Sequence, residues 1–160
     1  VYPNTAAKEL ESWVLGNGRV TLAGDAAHAH GGAFAAGGSL AINDAWAFAQ
    51  SVLYYFPAEA SWRVSLDDAG LAKVLSLYER TRKAHTDRVQ RTVQDRNQFL
   101  VDQIKTQQTD EDLRHKMKNR GDLAWIHEHD VEAAFHRAVL EQPKETGLET
   151  NQHQNHQARL

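Results

Sequence analysis

Residues 24–45 read GDAAHAHGGAFAAGGSLAINDA, with Asp25 behind the first of five glycines and two histidines, His28 and His30, alternating after it. Glycine at that density lets a flat ligand reach main-chain N–H groups with no Cβ in the way. A carboxylate at the tip of a strand, where that strand gives way to the glycine-rich loop, accepts hydrogen bonds from the hydroxyls of a sugar or polyol. Gly37 and Gly38 open the apolar run that follows, where the first N–H groups of a helix lack partners and its dipole is positive. The chemistry implied is recognition of an electron-rich, hydroxyl-bearing ligand. The same glycines would also serve a tight turn and close helix packing, and spacing alone does not separate the two roles.

The remaining polar residues point to structure rather than chemistry. His28 and His30 have no third ligand close by, so no metal is assigned. HEHD, residues 127–130, reads as solvated or helix-capping. Arg82 and His85 share a helical face with Tyr78 and Val89, where burial and pairing are expected in place of catalysis. Trp46 and Phe48 read as core aromatics. No catalytic residue is assigned.

The elements that would position the glycine loop are mostly helical. RVTLAG, residues 19–24, is partly β-branched and bounded by turn residues, and it reads as the one firm strand, with a weaker candidate in SWRVSL, residues 61–66. Ile42, Ala45, Trp46, Ala49, Val52, Leu53 and Phe56 recur at helical spacing before Pro57 and predict a helix with that face buried. A longer helix is expected over residues 67–107, with Leu71, Val74, Leu75, Tyr78, Val89, Val93 and Leu100 inward and Arg82 and His85 interrupting the stripe. Thr109 can cap a third helix that ends near Gly121, and DVEAAFHRAVLEQ predicts a last one before Pro143. A core strand needs neighbours for its backbone groups. A lone strand over 19–24 therefore implies that its sheet is completed by polypeptide upstream or in a partner.

Composition narrows the class. The chain has 160 residues, room for one domain with a core. With 18 basic and 21 acidic residues and a formal charge of −3, it carries no footprint for nucleic acid or an anionic membrane. No apolar run approaches the ~20 residues that span a bilayer. The absence of cysteine removes disulfides and thiolate chemistry and fits a reducing, cytoplasmic setting. A start at Val1 followed by loop-like VYPNTAA reads as a segment or processed product.

Gly24, Asp25, Ala26, Ala27 and His28, followed without a gap by Gly37, Ile42, Asp44 and Ala45, resemble the second flavin fingerprint of the FAD-dependent aromatic-ring hydroxylases. The likeness is to the salicylate-hydroxylase-like flavoprotein monooxygenases of fungi. Trp13 with GRVTLAGDAAH, LYERTRKAHTDRVQ and LAWIHEHDVEAAF are similar to further segments of the same family, over about residues 10 to 140. The resemblance implies that Asp25 binds the ribityl hydroxyls of FAD, with Gly24 and Ala26 near the diphosphate and ribityl chain. Gly37, Gly38 and Ser39 would offer N–H groups to the pyrimidine carbonyl, and His30 and Gly32 would line the substrate-side loop. The chain departs from the family pattern at Gly32, in place of a common proline, at Ala35 and Ala36, in place of Gly-Gln, and at Ser39, in place of a frequent Asn.

The fold class implied is mostly α with one β-strand, the carboxyl-terminal portion of an α/β FAD-binding fold. Residues 1–56 would hold the strand, flavin loop and following helix, residues 57–141 a helical region, and residues 142–160 a disordered tail. The family's amino-terminal phosphate turn, G-x-G-x-x-G with an acidic partner for ribose, has no counterpart here. The expected function is a segment of an NAD(P)H- and O2-dependent monooxygenase acting on a small aromatic substrate. Its missing amino-terminal region would lie upstream or in a partner subunit. The alternative is a truncated relative without flavin, serving as a helical binding or assembly subunit or with a cofactor-free activity.

Overall fold

The computed structural model describes residues 9–31, 33–57, 67–105, 109–118 and 121–142. Gly32, the weaker strand candidate at 61–66 and the tail from 143 onward lie outside them.

Five helices account for the described chain: α1 (Asp25–His28), α2 (Gly37–Tyr55), α3 (Asp68–Lys105), α4 (Asp110–Lys118) and α5 (Val131–Leu140). Short 3-10 turns at Ala33–Ala35 and Ala124–Ile126 lead into α2 and α5. At 1.5 Å per residue α3 extends about 57 Å, and it is the spine against which α2 and α5 pack. Capping residues set several boundaries. Thr109 Oγ1 accepts from the Asp112 N–H at 3.3 Å while Asp112 Oδ2 accepts from the Thr109 N–H at 3.1 Å, a reciprocal cap that starts α4. Asp130 Oδ1 accepts from the Ala133 N–H at 2.8 Å and starts α5, the capping role read from HEHD.

The strand expected over residues 19–24 does not form, and with it the α/β fold class is corrected: among the described residues there is no strand and no sheet. An isolated antiparallel bridge joins Leu15 and Val20, closing a turn in which Gly16, Asn17 and Gly18 all have positive φ. Beyond Val20 two backbone groups are paired by side chains from distant helices. Tyr78 Oη donates to the Leu22 carbonyl at 3.1 Å, and Asp44 Oδ2 accepts from the Gly24 N–H at 2.8 Å. A lone extended segment with no ladder beside it must find partners of this kind. Gly18 is held close to α3, since a Cβ there would lie 2.7 Å from the Ala72 Cβ.

Three apolar clusters fill the interfaces. Trp13, Ala27, Ala47 and Tyr78 join the 9–31 segment to α2 and α3. Ala36, Leu40, Val89 and Ile126 close the start of α2 against α3 and the second 3-10 turn. Leu77, Phe135 and Ala138 dock α5, with Trp46 half-buried beside them. The buried stripe of α3 is close to the one its spacing predicts: Val74, Leu75, Tyr78, Val89 and Val93 are buried.

The buried stripe of α2 differs from expectation. Leu40, Asp44, Ala47 and Ser51 face inward. Ile42, Ala45, Ala49 and Leu53 lie in solvent, Ile42 at 71% exposure, and Phe48 is also exposed rather than a core aromatic. The two polar members of the inward stripe are satisfied, Ser51 by the Ala47 carbonyl at 2.8 Å and Asp44 by the contacts described next.

Candidate functional site

The loop of residues 24–37 is built around one buried carboxylate. Asp44, 1% exposed two turns into α2, accepts three bonds. These come from the Gly24 N–H at 2.8 Å, from His28 Nε2 at 2.6 Å and from Arg82 Nε of α3 at 2.8 Å. An ionised carboxylate only accepts, so His28 presents Nε2–H to it. Burial pulls the Asp44 carboxyl upward, but the bonds from His28 and Arg82, the pull of His28 and the Gly24 N–H together hold it below the usual carboxylate range. Arg82, fully buried, also reaches the Leu40 carbonyl at 3.4 Å. The glycine that begins the loop, the histidine that ends α1 and the spine helix are thus tied to one side chain. Trp13 covers the knot, with ring centroids 5.9 Å from both His28 and Tyr78. Burial, and then the charge of Asp44, raise the Tyr78 phenol, which stays a neutral donor to Leu22.

Gly24 is the N-cap of α1 with φ 57° and ψ −140°, a conformation that L side chains rarely adopt. Its carbonyl accepts from Ala27 and His28 and closes the single turn. This local geometry carries the next residue, Asp25, outward: Asp25 and Ala26 are exposed, whereas Ala27 and His28 are buried.

The predicted ligand-facing residues divide as follows. Asp25, His30 and Gly37 are brought together, since a Cβ on Gly37 would lie 3.9 Å from Asp25 Oδ1 and 3.6 Å from His30 Cε1. His30 is buried, and its Nε2 has no hydrogen-bond partner among the described residues. Burial, and then the neighbouring His28, lower its basicity, with Asp25 opposing. Gly38 follows at the start of α2 and faces open space, with nothing within 4 Å of where its Cβ would be. Ser39 is exposed and turns its hydroxyl back to the Ala36 carbonyl at 2.9 Å, so its side chain is engaged within the helix start. No side chain caps α2. Its first N–H groups therefore have no side-chain partner among the described residues.

Between His30 and Gly37 the backbone is strained. Phe34 and Ala35 have φ of 62° and 52°, left-handed values that cost non-glycine residues about 1–2 kcal/mol each. Phe34 is held by packing on the Ala36, Leu40, Val89 and Ile126 cluster and by Arg96, whose guanidinium lies 5.3 Å from the ring centroid.

Sequence reading missed one feature of the site and one outside it. Asp44 was seen only as a fingerprint match, yet it is the centre of the knot. His129, read as solvated, is partly buried and stacked on His85. The pairing expected for Arg82 is found, and Arg82 meets Asp44 rather than a group outside the chain. No group of three or more histidine or acidic side chains among the described residues is arranged to hold a metal ion, and no helix there is long and apolar enough to cross a membrane.

The Asp25 carboxylate and the buried His30 ring lie beside Gly37, and Gly38 next to it is open. No G-x-G-x-x-G phosphate turn occurs in the sequence. Comparison with family models, with curated proteins and with solved structures finds no match to this chain.

Proposed function

We propose that this chain carries the flavin-facing part of an FAD-dependent monooxygenase, a cytoplasmic enzyme that hydroxylates a small aromatic substrate with NAD(P)H and O2. The contacts to the ADP half come from polypeptide outside these residues, in the same chain or in a partner subunit. The observation that carries this reading is the convergence of Asp25, His30 and Gly37 at the uncapped start of α2, on a loop whose first residues, Gly24 and His28, are anchored to Asp44.

In this reading Asp25 holds the ribityl hydroxyls, and Gly24 and Ala26 present main chain beside them. Gly37, Gly38 and Ser39 direct N–H groups at the pyrimidine carbonyl, where they stabilise negative charge as the ring is reduced. Bound flavin supplies the electron transfer and oxygen activation; the protein supplies binding, orientation and electrostatics. His30 flanks the loop on the substrate side, and its lowered basicity keeps a neutral ring beside the cofactor.

The bare stripe of α2 supports a further covering. Gly38, Ile42, Ala45, Ala49 and Leu53 follow one helical face, so the exposed apolar surface is continuous with the open space at Gly38. Polypeptide that closes over the cofactor would bury that stripe. The same surface favours a second reading, a flavin-free helical assembly subunit.

Flavin binding separates the two. Titration of the chain with FMN and with FAD, followed by quenching of flavin fluorescence, is expected to give equal affinities within about threefold, because the ADP half finds no partner here. Asp25→Ala should weaken both by about tenfold or more, the loss of charge-assisted bonds of roughly 1.5–3 kcal/mol each. Absence of binding to either flavin, or affinities unmoved in Asp25→Ala, would favour the assembly subunit.

A further inference from the structure

The flavin reading leaves one cluster of titratable side chains unused. His85, midway along α3, lies face to face with His129, the residue before the Asp130 cap of α5. Their ring centroids are 3.8 Å apart and their planes 9° from parallel. Trp125 stands edge-on to His85 at 5.7 Å, and the Arg88 guanidinium lies over the Trp125 ring at 3.9 Å. His85 is 9% exposed, and the Nε2 atoms of both histidines are buried without a partner among the described residues.

The stack sits where residues 124–140 cross the spine helix. On one side of it Ile126 packs on Val89, and on the other Phe135 and Ala138 pack on Leu77. The charged groups facing the pair are cationic on both elements. Arg82 and Arg88 approach from α3 and Arg137 from α5, opposed by Asp130. Neutral imidazoles stack comfortably there. Two imidazolium ions 3.8 Å apart among three guanidinium groups would repel each other, and their buried N–H groups would lack the hydration a charge requires.

We propose that the His85–His129 stack is an acid-released latch, which fastens residues 124–140 across α3 while both rings are neutral and frees them when both are protonated. This latch does not depend on the flavin assignment. Burial first, then the facing His129 and Arg82, hold His85 down to about 4, with the Ile126 carbonyl opposing. Burial first, then Arg82 and Arg137, hold His129 down to about 4, with Asp130 opposing. A base whose folded-state value lies below its unfolded one contributes stability that is complete above the unfolded value. That contribution is lost as pH falls toward the folded value. The releasing window therefore runs from about pH 6.5 down to about pH 4.

Hydrogen exchange followed by mass spectrometry tests the latch on the intact chain, with rates corrected for the intrinsic pH dependence. Each proton taken up on opening shifts the equilibrium tenfold per pH unit, so two approach about 100-fold per unit. Protection of amides in residues 126–140 should fall at up to that rate below pH 6, while α2 stays protected. His129→Phe keeps a stacked ring and removes one proton, and the slope should drop to about tenfold. In the His85→Phe/His129→Phe variant the slope should vanish. Equal protection at pH 7 and pH 5, a parallel loss in α2, or an unchanged slope in the double variant would each overturn the proposal. Should the double variant lose α2 protection at pH 7, imidazole titration of the unaltered chain by NMR decides. Rings that titrate near 6.5 with residues 126–140 still docked contradict the latch.

Discussion

Asp44 and Arg82 meet across the α2–α3 interface with Oδ1 and Nε 2.8 Å apart, both essentially without solvent contact. The second oxygen of the same carboxylate holds Gly24 and His28, so the ion pair also fixes the loop that presents Asp25. Removing one partner leaves the other as a buried, unpaired charge. Asp44→Asn is therefore expected to destabilise the chain by about 3–5 kcal/mol in urea denaturation. A loss within 1 kcal/mol would mean that the knot is not what closes the loop.

Ala35 is itself exposed and adopts φ 52°, a conformation in which its Cβ is penalised and a glycine's absence of one is not. Glycine loses more freedom on folding, which offsets part of the relief. Ala35→Gly should leave the chain up to about 1 kcal/mol more stable, read as a raised thermal midpoint. A lowered midpoint would mean that the strain of the left-handed backbone at Ala35 is outweighed by the freedom glycine loses on folding.

Gly38 separates stability from function. It lies inside the first turn of α2, where alanine is favoured over glycine by about 0.8–1.0 kcal/mol in a helix interior, and the added Cβ meets nothing within 4 Å. Gly38→Ala should hold or raise thermal stability yet weaken FMN binding by about tenfold, since the methyl group occupies the ligand's space. Unchanged FMN affinity in a stable Gly38→Ala chain would remove this residue from the site.

Acid should act on stability in two separate windows. The His85–His129 pair loses its contribution as pH falls from about 6.5 to 4. Asp44, held below its ordinary 3.8, contributes fully above that value and fails only beneath it, as the carboxyl protonates. Denaturant midpoints measured from pH 7 to pH 2.5 should therefore show a first decline above pH 4 that His85→Phe/His129→Phe reduces to the share owed to His30, and a second below pH 3.8 that it leaves in place. A single decline, or a first decline undiminished by the double substitution, would contradict the assignment.

Much of the helical frame was legible in the sequence because its signals are local. Thr109 with Asp112 and Asp130 with Ala133 are caps read over three residues, and the α3 stripe is read over one helical face. The strand over residues 19–24 was misread because β-branched residues between glycines look alike whether the backbone is paired by a ladder or by side chains far away. Here the partners are Asp44, twenty residues from Gly24, and Tyr78, fifty-six from Leu22. The inward face of α2 was misread for a related reason. Its apolar residues occur almost all round, and the deciding members are the polar Asp44 and Ser51, which are buried because Arg82, His28, Gly24 and the Ala47 carbonyl satisfy them. Asp25 and Gly37 are legible from the loop's chemistry and His30 only from the family resemblance, and their convergence follows from the fold.

The most direct test of the flavin assignment is a titration of isotope-labelled chain with FMN, watched at every backbone amide by NMR. Saturable shifts concentrated at Gly24, Asp25, Ala26, Gly37, Gly38 and Ser39, with α5 unmoved, are the predicted result. Shifts spread along the bare α2 stripe or over α5, with none at those six amides, would contradict it.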